Sequence, residues 1–170
     1  MKESKYFDIV FLYSGNPLPA MLDLAYYAHN SGLKVCVIIL ERGRGDLIID
    51  SSLVNYELKV INVNYKSVSL SRFLTIPLIY ATLSKYIKNN LKKGGILILE
   101  GFEKKHIEYN SKNEKAGGPK DVNFLFSKEE LLQDFEDLEI ISIEEKTIEL
   151  REGAFHCGES AVIRLIGRKK

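Results

Sequence analysis

The chain reads as a single three-layer, Rossmann-like α/β domain with a mostly parallel sheet and an antiparallel last strand. Three observations carry this reading. Short apolar, β-branched runs recur, as strands buried on both faces require. Helical patterns separate most of them, as crossovers between parallel strands require. The last two apolar runs have no helix between them, so that end of the sheet closes as an antiparallel pair. With 170 residues, 45% of them hydrophobic, residues 1–170 suffice for one domain with a real core.

Phe7 to Tyr13 is an apolar run ended by Ser14, Gly15, Asn16 and Pro17, which is how a strand buried on both faces passes into a loop. Pro19 to Asn30 follows a helical pattern in Ala20, Leu22, Leu24, Ala25, Tyr27 and Ala28, with proline near its start and Gly32 beyond its end. Lys34 to Leu40 is a second β-branched strand, halted by Glu41 and a charged loop containing Gly43 and Gly45. A third strand spans about Leu58 to Val63. Ser69 to Leu91 is helical in pattern, with Pro77 kinking or splitting it near Thr75 and Ile76.

The turn Lys92-Lys93-Gly94-Gly95 precedes a strand, Ile96 to Leu99, that ends in Glu100. Glu103 to Asn123 reads as a long polar loop, a length usually tied to function. Ser127 and Glu130 form a capping box opening a helix through Phe135. Leu138 to Ile143 and Ser160 to Ile166 supply the final strands.

Charge excludes little but points somewhere. Lys and Arg number 24 against 23 Asp and Glu, a formal net charge of +1, so no global field favours nucleic acid or an anionic membrane. No run reaches the roughly 20 apolar residues that span a bilayer, and Met1 to Lys5 lacks a signal-type stretch. Cys36 and Cys157 have no metal-ligand spacing, and Cys36 lies in an apolar run, which fits a reducing cytoplasm and no bound metal. The partner expected is a small molecule.

Leu91 to Phe102 (LKKGGILILEGF), Tyr109-Asn110, Gly117 to Asp121, Leu138-Glu139-Ile140, Glu152-Gly153, His156 and Ala161-Val162-Ile163 together resemble the C-terminal half of tellurite-resistance-type, class I S-adenosylmethionine (SAM) methyltransferases. The resemblance covers about residues 91 to 168. It implies a seven-stranded sheet with an antiparallel last strand and SAM as cofactor. That family's first strand ends in an acidic, glycine-rich E/D-x-G-x-G loop; here the place reads Tyr13-Ser14-Gly15-Asn16-Pro17, with one glycine and no acid.

Residues 6 to 88 resemble something else. Asp8 to Pro19 (DIVFLYSGNPLP), the strand ending in Glu41 to Asp46, and Arg72-Phe73-Leu74 look like the N-terminal Rossmann-like region of GT-B glycosyltransferases of the family 4 type. Such a region handles the acceptor, and the donor would need a partner chain. The chain thus looks like a chimera of a 1–90 and a 91–170 half, with a seam near Lys88 to Lys93.

Ligands of doubly wound sheets sit beyond the carboxyl ends of strands where strand order reverses, which marks Ser14 to Leu18 and Glu41. Glu41 is placed to accept hydrogen bonds from ribose hydroxyls, though the commoner role of such an acid is that of a solvated strand-end carboxylate paired with Arg42 or Arg44. Gly15 permits close backbone approach, or simply serves the turn. Glu100 points to the same sheet edge.

Methyl transfer demands chiefly alignment, with a base only where the acceptor carries a proton. Tyr109 and His156 are the candidate catalytic groups on the acceptor side. Gly117, Gly118 and Lys120 are candidate substrate contacts, since successive glycines expose amides and Lys120 adds positive charge. Three readings follow: a SAM-dependent transferase of a small molecule, the acceptor half of a glycosyltransferase, or a catalytically silent fold whose crevice side chains fill. A homodimer is compatible with each.

Overall fold

In the computed structural model of the protein, residues 6–14, 19–41, 57–62, 83–151 and 157–170 are described, with backbone alone for 14, 19–21, 40–41 and 57–62. The elements are β1 (Phe7–Ser14), α1 (Pro19–Asn30), β2 (Val35–Glu41) and β3 (Glu57–Asn62). There follow a helix over residues 83–90 (α2), β4 (Leu91–Phe102), α3 (His106–Lys112), α4 (Lys128–Asp134), β5 (Leu138–Arg151) and β6 (Cys157–Lys169).

One six-stranded sheet, in the order β3-β2-β1-β4-β6-β5, draws strands from both halves of the chain. Its first four strands run parallel, while β6 is antiparallel to both β4 and β5. The reversed last strand therefore lies between its neighbours and β5 forms the edge. The described residues supply six strands where the methyltransferase resemblance implies seven.

Alternation along the strands divides the core between two faces. Val10 and Leu12 of β1 join Leu97 and Leu99 of β4 and Ile163 and Leu165 of β6, covered by Leu83 and Ile87 of α2 and by Leu131 of α4 with Phe135. Phe11 and Tyr13 face the other way, onto Ala25 of α1 and Val35, Val37 and Ile39 of β2. Helices thus cover both faces at β1. On the α1 side, β4, β6 and β5 carry charged rows instead, Glu100 with Arg164 and Glu139 with Arg168.

Several expectations sharpen. The Lys92 to Gly95 turn lies within β4, where the register with β1 jumps from Phe7↔Leu91 to Ile9↔Ile96 and Gly94 adopts φ 75°. The final strands extend well past Ile143 and begin before Ser160, pairing as far as Arg151↔Cys157. The Ser127–Glu130 capping box is present in both directions. The Glu103 to Asn123 segment, expected as an unstructured loop, is a correction. It folds into α3 and the 3-10 turns Glu114–Ala116 and Val122–Phe124, burying His106, Asn110, Ala116 and Phe124. Of the helical stretch expected from Ser69 to Leu91, residues 83–91 are described: 83–90 are helical and Leu91 opens β4, while Pro77 lies outside the described residues.

At the amino edge of the sheet, Asp8 ties three strands together. Its Oδ2 accepts from the Lys34 amide at 2.8 Å and its Oδ1 from Lys92 Nζ at 2.8 Å. The Lys92 hydrogen bond holds the Asp8 carboxyl below its usual 3.8, against the opposing pull of burial. A lowered folded value stabilises above the unfolded value and is lost as pH falls through the folded one. Asp8→Asn should therefore cost about 1 kcal/mol near neutral pH. The difference should shrink below about pH 4, as urea titrations at several pH values would show.

Candidate crevice at the carboxyl edge

Strand order reverses direction between β1 and β4: the chain leaves β1 through α1 toward β2, while β4 lies on β1's other side. This is the switch point at which open α/β sheets take ligands. Tyr13 and Glu100 are register partners there. They border a shallow crevice of about 220 Å³, open to solvent and lined also by Gly101, Phe102, Leu150 and Val162. Of these, Tyr13 and Phe102 are nearly buried, each 7% exposed.

Glu100 is not free in this crevice. Arg164 of β6, its register partner, donates from Nε to Glu100 Oε2. The carboxylate side chain is 12% exposed and the guanidinium side chain 43%. The acid is therefore fixed as a hydrogen-bonded partner at the sheet surface.

Glu41 closes β2 beside this edge, with Asn62 as its register partner in β3 and Leu40 beside Ser14 of β1. The backbone thus brings the ends of β1, β2, β3 and β4 to one rim. Gly15 and His156, and with them Arg42 and Arg44, lie outside the described residues.

The remaining candidates gather in α3 and the glycine turn that follows. His106 is fully buried. Its ring stacks on Phe102, centroids 4.2 Å apart at 24°, with Tyr109 on a parallel plane at 6.4 Å. Nε2 lies 3.0 Å from the Gly117 carbonyl, which can only accept, so Nε2 bears the hydrogen. Asn110 Nδ2 donates to the Pro119 carbonyl at 2.6 Å. The Gly117-Gly118-Pro119 turn is thereby pinned to the inner face of α3, with Gly118 against the imidazole.

Tyr109 stands two rings away from the crevice, and its hydroxyl shares a 3.1 Å hydrogen bond with Thr147 Oγ1. Lys120 is exposed and lies 3.6 Å from Glu114. The structure therefore brings Tyr109, Gly117 and Gly118 together around His106, sets Glu100 in the crevice, and leaves Lys120 on the outer surface. Sequence reasoning missed Tyr13, Phe102, His106 and Arg164. Only Arg164 left a trace, as a lone charge in the apolar stretch Ala161 to Gly167. Among the described residues, no group of His, Cys, Asp and Glu is arranged to hold a metal. Nor is any described helix long and apolar enough to cross a membrane.

No protein-family model matches the chain, and no curated protein sequence does either. Solved structures do. A SAM-dependent methyltransferase from Methanosarcina mazei aligns over 94% of this chain and 92% of its own, at 14% identity and a TM-score of 0.50. A protein described in the conversion of a disulfide bond into a thioacetal group during echinomycin biosynthesis aligns over 95% and 75%, at 13% identity and 0.54. A SAM-dependent methyltransferase from Anabaena variabilis aligns over 95% and 77%, at 12% and 0.50. At these identities the likeness is one of fold, and the chain has a methyltransferase-like Rossmann fold. It covers both halves of the chain and lends no support to a glycosyltransferase origin for residues 6 to 88 or to a chimera.

Proposed function

We propose that the chain is a SAM-dependent methyltransferase of a small molecule, with the crevice between the ends of β1 and β4 as its site. The observation that carries this is the crevice's position at the switch point of a sheet ordered 3-2-1-4, ending in a reversed strand. The residue types suit the cofactor. An acid ends β2, where ribose hydroxyls need an acceptor. The phenol of Tyr13 and the carboxylate of Glu100 offer electron-rich surface to a cationic sulfonium.

The bound cofactor would supply an activated methyl group; the chain supplies alignment. Tyr13 and Phe102 give the cofactor an aromatic surface to lie against, and Glu100, fixed by Arg164, keeps one orientation throughout. Proton removal is needed only for an acceptor that carries one, and His156 is the group assigned to it, since Tyr109 stands behind His106 with its hydroxyl hydrogen-bonded to Thr147. Gly117 and Gly118 serve it indirectly by seating His106 behind Phe102.

One observation favours the silent fold instead: the crevice is shallow, and the two aromatic side chains that line it, Tyr13 and Phe102, are nearly buried. Calorimetric titration with SAM separates the two. The methyltransferase reading expects micromolar binding, weakened about tenfold by Glu41→Ala through loss of hydrogen bonds from the ribose to a charged acceptor. No heat at millimolar cofactor favours the silent fold.

A further inference from the structure

We propose that Arg164 is the anion receptor of this crevice, taking a carboxylate or phosphate group on its outer guanidinium edge. The proposal rests on the methyltransferase reading for the ligand's purpose, not for its chemistry. Four side chains form one row across four strands at the carboxyl edge: Tyr13, Glu100, Arg164 and Glu144 are successive register partners on β1, β4, β6 and β5. Val162, two residues before Arg164 and so on the same face of β6, lines the crevice. Arg164 is the next side chain along that face, directly beside Glu100.

Each acid in the row already has a cation. Glu100 takes the Arg164 Nε–H, and Glu144 is paired with Lys146 at 2.5 Å. Arg164 uses one of its five N–H groups on Glu100, and no described residue accepts a hydrogen bond from its two Nη groups. A guanidinium clamped at Nε, on a side chain 43% exposed, presents a preorganised fork. Such a fork matches the two oxygens of a carboxylate or phosphate, which a single ammonium cannot do.

The test titrates the full chain with benzoate, then with inorganic phosphate, following the backbone amide resonances of Gly101 and Val162. Wild type should give saturable, millimolar binding, weakened about tenfold in Arg164→Gln, the loss expected for a charged hydrogen-bonded pair. Arg164→Lys keeps the charge and protects against a folding failure of the first variant; it too should lose about tenfold, because the fork is gone. Unsaturable shifts in wild type, or undiminished binding in Arg164→Lys, would overturn the proposal.

A second arm identifies the source of the anion. S-adenosylhomocysteine and 5′-methylthioadenosine differ in the amino-acid carboxylate. Weakening of the first alone in Arg164→Gln assigns the fork to the cofactor, and equal binding of both assigns it to an acidic acceptor. If neither adenosyl compound binds while benzoate still requires Arg164, the methyltransferase reading fails and the anion receptor stands.

Discussion

Gly118→Ala should lower the free energy of unfolding by about 3 kcal/mol, which in a chain of 170 residues is on the order of 10 °C in melting temperature. Gly118 adopts φ +74°, a conformation that costs an L-residue roughly 1–2 kcal/mol. A Cβ there would stand 2.6 Å from His106 Nε2 and 3.2 Å from Phe102 Cδ2. The imidazole has little freedom to yield. It is fully buried, stacked on Phe102 and hydrogen-bonded to the Gly117 carbonyl, so moving it strands a buried polar pair at about 1–3 kcal/mol. Gly32→Ala is the matched control: φ is +84° but nothing lies within 4 Å of the new methyl group, so strain alone remains, about 1 kcal/mol. Comparable losses in the two variants would mean that the glycine turn does not seat His106.

Leu165→Ala should cost about 3–4 kcal/mol by the same urea or thermal measurement. Leu165 is fully buried in the middle of β6, with Leu99 of β4 and Ile143 of β5 as register partners. Its side chain packs in the cluster that contains Ile163, Leu138 and Phe135. Truncation leaves a cavity bounded by strands on both sides and by α4 above, none of which can close on it without breaking the ladder. The size of the loss reports where β6 lies. A strand inserted between β4 and β5 is a core strand, whereas a loss below about 1 kcal/mol would fit an edge strand.

These two positions mark what the amino-acid pattern reveals and what it hides. β1, α1 and β2 are legible because a strand buried on both faces has to be continuously apolar, and because Pro19 and Gly32 mark the bounds of a helix. The capping box at Ser127 and the helix-free pairing of β5 with β6 are legible for equally local reasons. The outer half of β5, Glu144 to Arg151, is charged and mostly exposed, so no apolar run announces it; only its pairing with β6 makes it a strand. Residues 103 to 126 hide their fold for a related reason. Their buried anchors include His106 and Asn110, whose partners are carbonyls eleven and nine residues away, respectively, rather than a periodic apolar face.

The site divides in the same way. Its place at the strand ends follows from alternating strands and helices, and Glu41 and Glu100 are visible as acids that terminate apolar runs. Arg164 is not, because its meaning comes from a partner 64 residues distant that only the reversed strand brings alongside. Tyr109 looked chemical in isolation, and its hydroxyl proves to share a hydrogen bond with Thr147 across α3 and β5.

On the proposed function, an adenosyl ligand binds at the carboxyl ends of β1, β2 and β4. Amide hydrogen exchange with and without millimolar S-adenosylhomocysteine tests this most directly, because it reports both binding and place. Binding there should add protection at Leu12 to Ser14, Ile39 to Glu41 and Leu99 to Phe102, with the amino edge around Asp8 and Lys34 unchanged. Unchanged exchange at all three strand ends, or protection confined to another surface, would contradict it.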